Sequence, residues 1–267
     1  MTTAIIIVLI LIAIYLFLIC PSLKRHKDEK LLKGLFIAHR GLHNAEQGIP
    51  ENSLAACGKA IDGGFTIEND IHLTADGEIV VFHDDTLDRV CGVSGRVEDK
   101  TLAELKALRL LGTDEQIPTL KEFLDLVDGR VPLLIEFKVV DGNTKALCKK
   151  ANEILKCYKG LYFIQSFYPG VLAWYKKNRP DVCRGQLSTA FKGEQFHKQL
   201  LGNLLSNVVA RPHFVSYEWK YYKKLSRRIT ALLGATPVCW TLRSREELDS
   251  SKPHFETYIF ENFIPNE

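Results

Sequence analysis

From residue 34 onward, short apolar runs of strand length alternate with longer stretches of helical character, and this rhythm restricts the fold more than any single residue does. The strand-like runs cover residues 34–38, 65–71, 79–82, 131–137, 161–165, 183–187, 213–217, 237–241 and 258–260. Helical stretches fall at 120–127, 144–155, 169–177, 219–233 and 244–248. Asn52 or Ser53 can cap an earlier helix that runs to about Asp62 and stops at Gly63-Gly64. Such alternation favours a parallel-sheet α/β architecture, and about eight strands predict a closed (β/α)8 barrel of the TIM type. One stretch breaks the rhythm. Between His83 and Leu120 only a glycine-bearing loop, Cys91-Gly92-Val93-Ser94-Gly95, and a helix starting near Thr101 are readable. Residues 84–118 are therefore expected to form a small insertion after the third strand, over the barrel mouth. Thr101-Leu102-Ala103-Glu104 has capping-box form, and Leu102, Leu105, Leu108 and Leu111 are expected on one helical face as ordinary packing.

At 267 residues the chain suits one such barrel, which takes roughly 200–250 residues, plus an appendage. The appendage is the run AIIIVLILIAIYLFLIC from Ala4 to Cys20, which carries no charge and at ~1.5 Å per residue approaches the thickness of a bilayer core. Pro21 ends it, and Lys24, Arg25, Lys27, Lys30 and Lys33 follow. A secretory signal has its positive region before the apolar stretch and a small-residue cleavage site after it, and neither is present here. The reading is one retained transmembrane helix at residues 1–21, a basic juxtamembrane linker at 22–33 and the barrel domain at 34–267. The positive-inside rule then makes this a single-pass protein of the cell membrane, touching the bilayer through its N-terminal helix, with a cytoplasmic catalytic domain.

Thirty-five basic against 32 acidic side chains leave a net charge of only +3, too small for a nucleic-acid binder acting through bulk electrostatics. The seven cysteines form no CxxC pair, and their odd number argues against a closed disulfide framework, so a reducing compartment is expected. They also form no Cys/His cluster of zinc spacing, so any metal should be held by oxygen. No obligate protein partner is evident.

Chemistry-bearing residues gather at the predicted strand tips. His39 and Arg40 follow the first run, Glu68 and Asp70 lie in the second, His83 follows the third, and Glu136 and Lys138 end the fourth. Residues two apart on a strand share a face, so Glu68 projects with Asp70 and Glu136 with Lys138. Solvated strand-end charge is the plain alternative for Glu68 and Asp70, but two carboxylates placed on an apolar run are costly unless compensated. Converging at the C-terminal face, Glu68, Asp70 and Glu136 would offer hard oxygen ligands to one divalent cation, Mg2+ or Ca2+. Arg40 and Lys138 suit a phosphate, whose negative charge redistributes during displacement. His39 and His83 titrate near neutrality and make an acid/base pair, although a neutral imidazole at His83 also suits a metal's ligand shell. Glu51 either orients Arg40, approaches the metal or simply occupies a helix's first turn, and Trp240 is either a substrate wall or packing.

These residues and their motifs resemble the glycerophosphodiester phosphodiesterases of the bacterial, membrane-anchored type. The resemblance rests on His39-Arg40-Gly41, Pro50-Glu51-Asn52-Ser53, Glu68-Asn69-Asp70, Thr74-Ala75-Asp76-Gly77, His83-Asp84-Asp85-Thr86-Leu87-Asp88-Arg89, Ile117-Pro118-Thr119-Leu120 and Glu136-Phe137-Lys138, with weaker agreement at Ser166-Phe167 and Trp240-Thr241. It implies a barrel with a small insertion after His83, His39 and His83 as acid/base pair, Glu68, Asp70 and Glu136 on a divalent cation, and phosphate held by Arg40 and Lys138. One departure stands out: many relatives end their last strand with Thr-Asp before a proline, where this chain has Phe260-Glu261-Asn262-Phe263-Ile264-Pro265. The implied activity is hydrolysis of glycerophosphodiesters to sn-glycerol 3-phosphate and an alcohol. Alternatives are a membrane-proximal enzyme acting on lysophospholipids or glycerophosphate polymers, and a binding protein without turnover.

Overall fold

The computed structural model describes residues 2–265. Its sheet contains β1 (Phe36–Ala38), β2 (Thr66–Leu73), β3 (Ile79–Val81), β4 (Leu133–Phe137), β5 (Tyr162–Ser166), β6 (Arg184–Ser188), β7 (Phe214–Glu218), β8 (Thr236–Leu242) and β9 (Thr257–Phe260). The strands lie in the order β1-β9-β8-β7-β6-β5-β4-β2-β3, and an added β1–β2 pairing closes the ring. All ring pairings are parallel. β3 stays outside, antiparallel to the far end of β2. The expected TIM-type barrel is therefore present, but the third strand-like run is a ribbon on its rim rather than a stave.

The helices are α1 (Thr2–Ile19), α2 (Glu29–Leu32), α3 (Leu54–Asp62), α4 (Asp88–Cys91), α5 (Leu102–Lys106), α6 (Leu120–Val127), α7 (Thr144–Leu155), α8 (Pro169–Asn178), α9 (Phe196–Gly202), α10 (Asn207–Ala210), α11 (Leu225–Leu232) and α12 (Arg245–Ser251). Capping residues fix several starts: the Ser53 hydroxyl accepts from Ala56 N, and Thr101 and Thr119 each form a capping box, with Glu104 and Glu122 respectively. The single helix expected at 219–233 is instead a 3-10 turn at Trp219–Tyr221 followed by α11. Trp219, Tyr221 and Tyr222 all pack on the core, which a continuous helix, with only one inward stripe, would not allow. The leucine stripe also breaks. α5 ends at Lys106, Leu111 takes a positive φ of 50° and is exposed, and Leu110 is buried in its place.

The core has distinct compartments. Ile67, Ile71, Ile135 and Ile164 pack outward against the helices, joined by Leu147, Leu172 and Leu248. Inside the ring, Ile37, Leu134, Phe163, Phe214, Val238 and Ile259 fill the N-terminal half, and Leu32 joins them as a plug. The insertion has its own small core around Leu87, Val90, Val97, Leu105 and Leu110, built on Val80 and Phe82. Residues 22–33, expected as a basic juxtamembrane linker, fold under the barrel: Glu29 and Leu32 are buried, and Thr257 Oγ1 donates to Leu32 O at 2.7 Å.

Phe163 is fully buried and meets Phe214 edge to face with ring centroids 6.4 Å apart. Phe163→Ala should destabilise the barrel by ~3–5 kcal/mol, read as a lowered Tm in thermal unfolding of the detergent-solubilised chain.

Candidate active site

The register of the sheet brings the acidic residues together. Asp70 on β2 lies beside Glu136 on β4, which lies beside Gln165 on β5. Alternation sends Ile67 and Ile71 toward the helices, leaving Glu68 and Asp70 to project into the ring with Glu136. One oxygen from each of Glu68, Asp70 and Glu136 lies within 4.8 Å of the others, and all three side chains are buried.

Three carboxylates packed this closely need positive charge and hydrogen bonds. Lys138 Nζ lies 2.6 Å from Glu136 Oε1 and 3.0 Å from Asp70 Oδ1. Asn52 Nδ2 donates to Asp70 Oδ2 at 2.9 Å, and the Arg40 backbone N donates to Glu68 Oε2 at 3.1 Å. This compensation is incomplete. Burial, with the charges of Asp70 and Glu136, pushes the Glu68 carboxyl well above the usual range. Burial, opposed by Lys138 and reinforced by Asp70, raises Glu136 to about 7. Burial also works to raise Asp70, but Lys138, His83 and Arg40 outweigh it and hold it low. Glu68 Oε1 is buried and accepts no hydrogen bond, and Asp70 Oδ1 has only the Lys138 ammonium beside it. An all-oxygen donor set with an unsatisfied acceptor among its atoms fits a hard divalent cation.

Both histidines turn one ring nitrogen to a carboxylate. His39, directly after β1, has Nδ1 2.5 Å from Glu261 Oε2, while its Nε2 lies 4.0 Å from Glu68 Oε2. Arg243 Nε holds the other Glu261 oxygen at 2.7 Å. His83 Nδ1 lies 2.6 Å from Asp84 Oδ1. This arrangement places the proton on Nδ1 and leaves Nε2 as the free base. Burial lowers His39 to about 4 despite the opposing bond from Glu261. Burial also lowers His83, against the pull of Asp70. At about 4, His39 is neutral at neutral pH.

Arg40 sits on a backbone with φ 56°, followed by Gly41 at φ 80°, where a Cβ would stand 2.9 Å from the Ala56 backbone. Only glycine fits there, and the resulting turn aims Arg40 into the site. Its guanidinium donates to Glu51 Oε1 at 2.7 Å. Glu51 in turn receives Arg89, which also grips Asp84. Glu51 is thus paired with Arg40 and Arg89. The acidic trio does not include it, nor does it include His83 among the described residues.

His39, Arg40, Glu68, His83, Glu136, Lys138 and Trp240 all line one cavity of about 130 Å³ at the C-terminal face of the ring. Trp240 forms its wall, edge-on to Phe167 with centroids 5.8 Å apart. Sequence reasoning missed Glu261, Arg243 and the orienting role of Asn52. Asn52 and Asp84 lie within motifs already singled out, whereas Glu261 lies in the stretch that departs from the family pattern. Of the histidines left without a role, His43 stands 3.9 Å from Glu261, and His72 is buried between Glu98 and the His83 carbonyl.

A parallel barrel with two histidines, two cationic side chains and an acidic trio at the C-terminal ends of its strands defines a hydrolase of phosphoric diesters. Residues 39–252 match the sequence model of the glycerophosphoryl diester phosphodiesterase family, and the chain belongs to that family. It is 39% identical over 182 residues to a glycerophosphodiester phosphodiesterase of Caldanaerobacter subterraneus, covering 63% of this chain and 72% of that one. It is 33% identical over 162 residues to a lysophospholipase D of Rattus norvegicus, covering 56% of this chain and 49% of that protein. Among solved structures, a phosphodiesterase of Oleispira antarctica in complex with the product sn-glycerol-3-phosphate superposes with a TM-score of 0.73 at 25% identity, over 89% of this chain and 96% of that one.

Because the Glu68 pKa is raised on folding, its ionisation destabilises the cation-free fold: the penalty is absent below the unfolded value near 4.5 and grows as pH rises toward the folded value. Glu68→Gln should therefore raise the Tm of chelator-treated protein at pH 7.5 and abolish any rise in Tm on adding Mg2+ or Ca2+, as measured by scanning fluorimetry.

Proposed function

We propose that this chain hydrolyses glycerophosphodiesters to sn-glycerol 3-phosphate and an alcohol, with His39 and His83 exchanging the roles of general base and general acid. The observation that carries the proposal is the pair of imidazoles, each anchored through Nδ1 to its own carboxylate and both lining the cavity that Glu68, Glu136, Arg40 and Lys138 also line. Arg40 and Lys138 hold the phosphoryl oxygens. Neutral His39 takes the proton of the attacking hydroxyl, either the glycerol C2 hydroxyl or water. His83 delivers a proton to the departing alkoxide, and the anionic substrate favours its protonated form beforehand. If C2 attacks first, water then opens the cyclic phosphate with the two roles reversed. Glu68, Asp70 and Glu136 hold one divalent cation, Mg2+ or Ca2+, which supplies Lewis-acid stabilisation of phosphoryl charge.

α1 is long and apolar enough to cross a membrane, and we read it as a retained anchor with the basic segment and the barrel on the cytoplasmic side. A second reading, lysophospholipase D activity, draws on the name of the rat relative. Assaying glycerophosphocholine against lysophosphatidylcholine discriminates between the two.

His39→Ala and His83→Ala should each lower turnover ~10²–10⁴-fold, and thorough chelation should abolish glycerol 3-phosphate release until a divalent cation is restored. Wild-type turnover in either variant removes that histidine from the scheme, and equal rates after chelation remove the cation. Glu261→Gln should reduce kcat more than it changes KM. Since Glu261 raises the His39 pKa, its loss should also shift the acid limb of kcat/KM to lower pH, which a purely structural defect would not do.

A further inference from the structure

The residues joining α1 to the barrel touch only one end of it. Asn207 Nδ2 donates to Ile19 O at 2.9 Å and Thr230 Oγ1 donates to the same carbonyl at 3.3 Å. Arg211 bonds the carbonyls of Phe17 and Cys20 and lies over the Phe17 ring, 4.7 Å from its centroid. Ser22 N donates to Pro212 O, His26 Nε2 bonds Asp181 O while its ring lies tilted beside that of His213, and Arg25 reaches Gly234 O. Glu29 accepts from Thr236. Asp181, Pro212, Gly234 and Thr236 all lie at or just before the starts of β6, β7 and β8. These contacts line the N-terminal ends of β6, β7 and β8 as a collar, and the Thr257–Leu32 bond extends it to β9, whereas His39, Glu136, Lys138 and Glu261 stand at the C-terminal ends. A strand of five residues such as β4, at ~3.3 Å each, separates the two ends by roughly 17 Å.

α1 does not lie along the barrel. Ile19 is its buried residue, while Ile5, Leu9, Ile12 and Phe17 are exposed. The surface around its exit has the composition of a bilayer interface: Leu23 and Leu232 are 80% and 86% exposed, and Lys24, Lys27, Lys30, Lys176 and Lys177 are exposed beside them.

We infer that the barrel stands on the membrane by the N-terminal ends of its strands, with the catalytic cavity opening away from the bilayer that α1 crosses, and so draws its diester from the aqueous phase. The inference rests on reading α1 as a span and the cavity as a phosphodiesterase site. A lysophospholipid seated in the same membrane would have to leave it entirely to bring its phosphate to His39, and that cost grows with every methylene extracted. A water-soluble glycerophosphodiester meets no such barrier.

The test uses the full chain in vesicles of phosphatidylcholine and phosphatidylglycerol that carry a nitroxide on the lipid headgroup. A fluorophore is placed at Leu232→Cys, beside the collar, or at Glu46→Cys, on the loop after β1, with Cys20, Cys91 and Cys157 replaced by serine. Quenching should be several-fold stronger at 232 than at 46. Equal quenching, or stronger quenching at 46, overturns the orientation. In parallel, lysophosphatidylcholine within the vesicle bilayer should be cleaved at least ~10-fold more slowly than the same lipid dissolved as monomers, while glycerophosphocholine is cleaved at similar rates in vesicles and detergent. Faster cleavage of the bilayer-held lipid overturns the substrate conclusion. Failure to cleave any of the three would sink the phosphodiesterase reading instead, and the quenching would still report the orientation.

Discussion

The ring is organised around a charge imbalance that it cannot relieve by hydration. Glu68, Asp70 and Glu136 are buried within 4.8 Å of one another, so their mutual repulsion acts in a low-dielectric interior. The surroundings are arranged to contain it. Lys138 sits between Asp70 and Glu136, Asn52 also bonds Asp70, the Arg40 amide bonds Glu68, and Arg40 itself is held by a turn that glycine alone permits. Even then Glu68 Oε1 stays without a hydrogen bond. The cluster keeps an excess of buried negative charge of the kind a cation can offset.

The same strands serve stability and chemistry in different layers. Leu134 and Phe163 face the packed interior near the strand starts, and two residues later Glu136 and Gln165 face the cavity. Val238 and Trp240 repeat this spacing on β8. Because the side-chain period is two, β4, β5 and β8 each supply one apolar and one cavity-lining position to the interior, whereas β2 supplies Glu68 and Asp70 together.

Much of this was legible in the chain. Short apolar runs fixed the order of the staves, and the two-residue spacing of Glu68 and Asp70 placed both in the ring. β3 was recognised as a strand but not as one outside the ring, since a run of three residues has the same pattern whether its neighbour runs parallel or antiparallel. Leu111 was assigned to a helical face because periodicity does not register where a short helix ends. Glu261 was illegible as a partner of His39, because the contact spans the whole barrel and arises only when β9 pairs with β1. The folding of residues 22–33 beneath the strands was hidden for a similar reason: their lysines read as solvated, and only the tertiary fold buries Glu29 and Leu32.

The pairing of β1 with β9 also bears on how such a chain is made. His39 follows the first stave of the ring, yet the carboxylate that sets its tautomer follows the last. During vectorial synthesis the histidine and most of the cavity leave the ribosome well before residue 261 is joined. Until ring closure delivers that carboxylate, the His39 ring in a partly built barrel lacks the partner that holds its Nδ1, so this piece of the site's geometry arrives with completion of the fold rather than accumulating as the staves assemble.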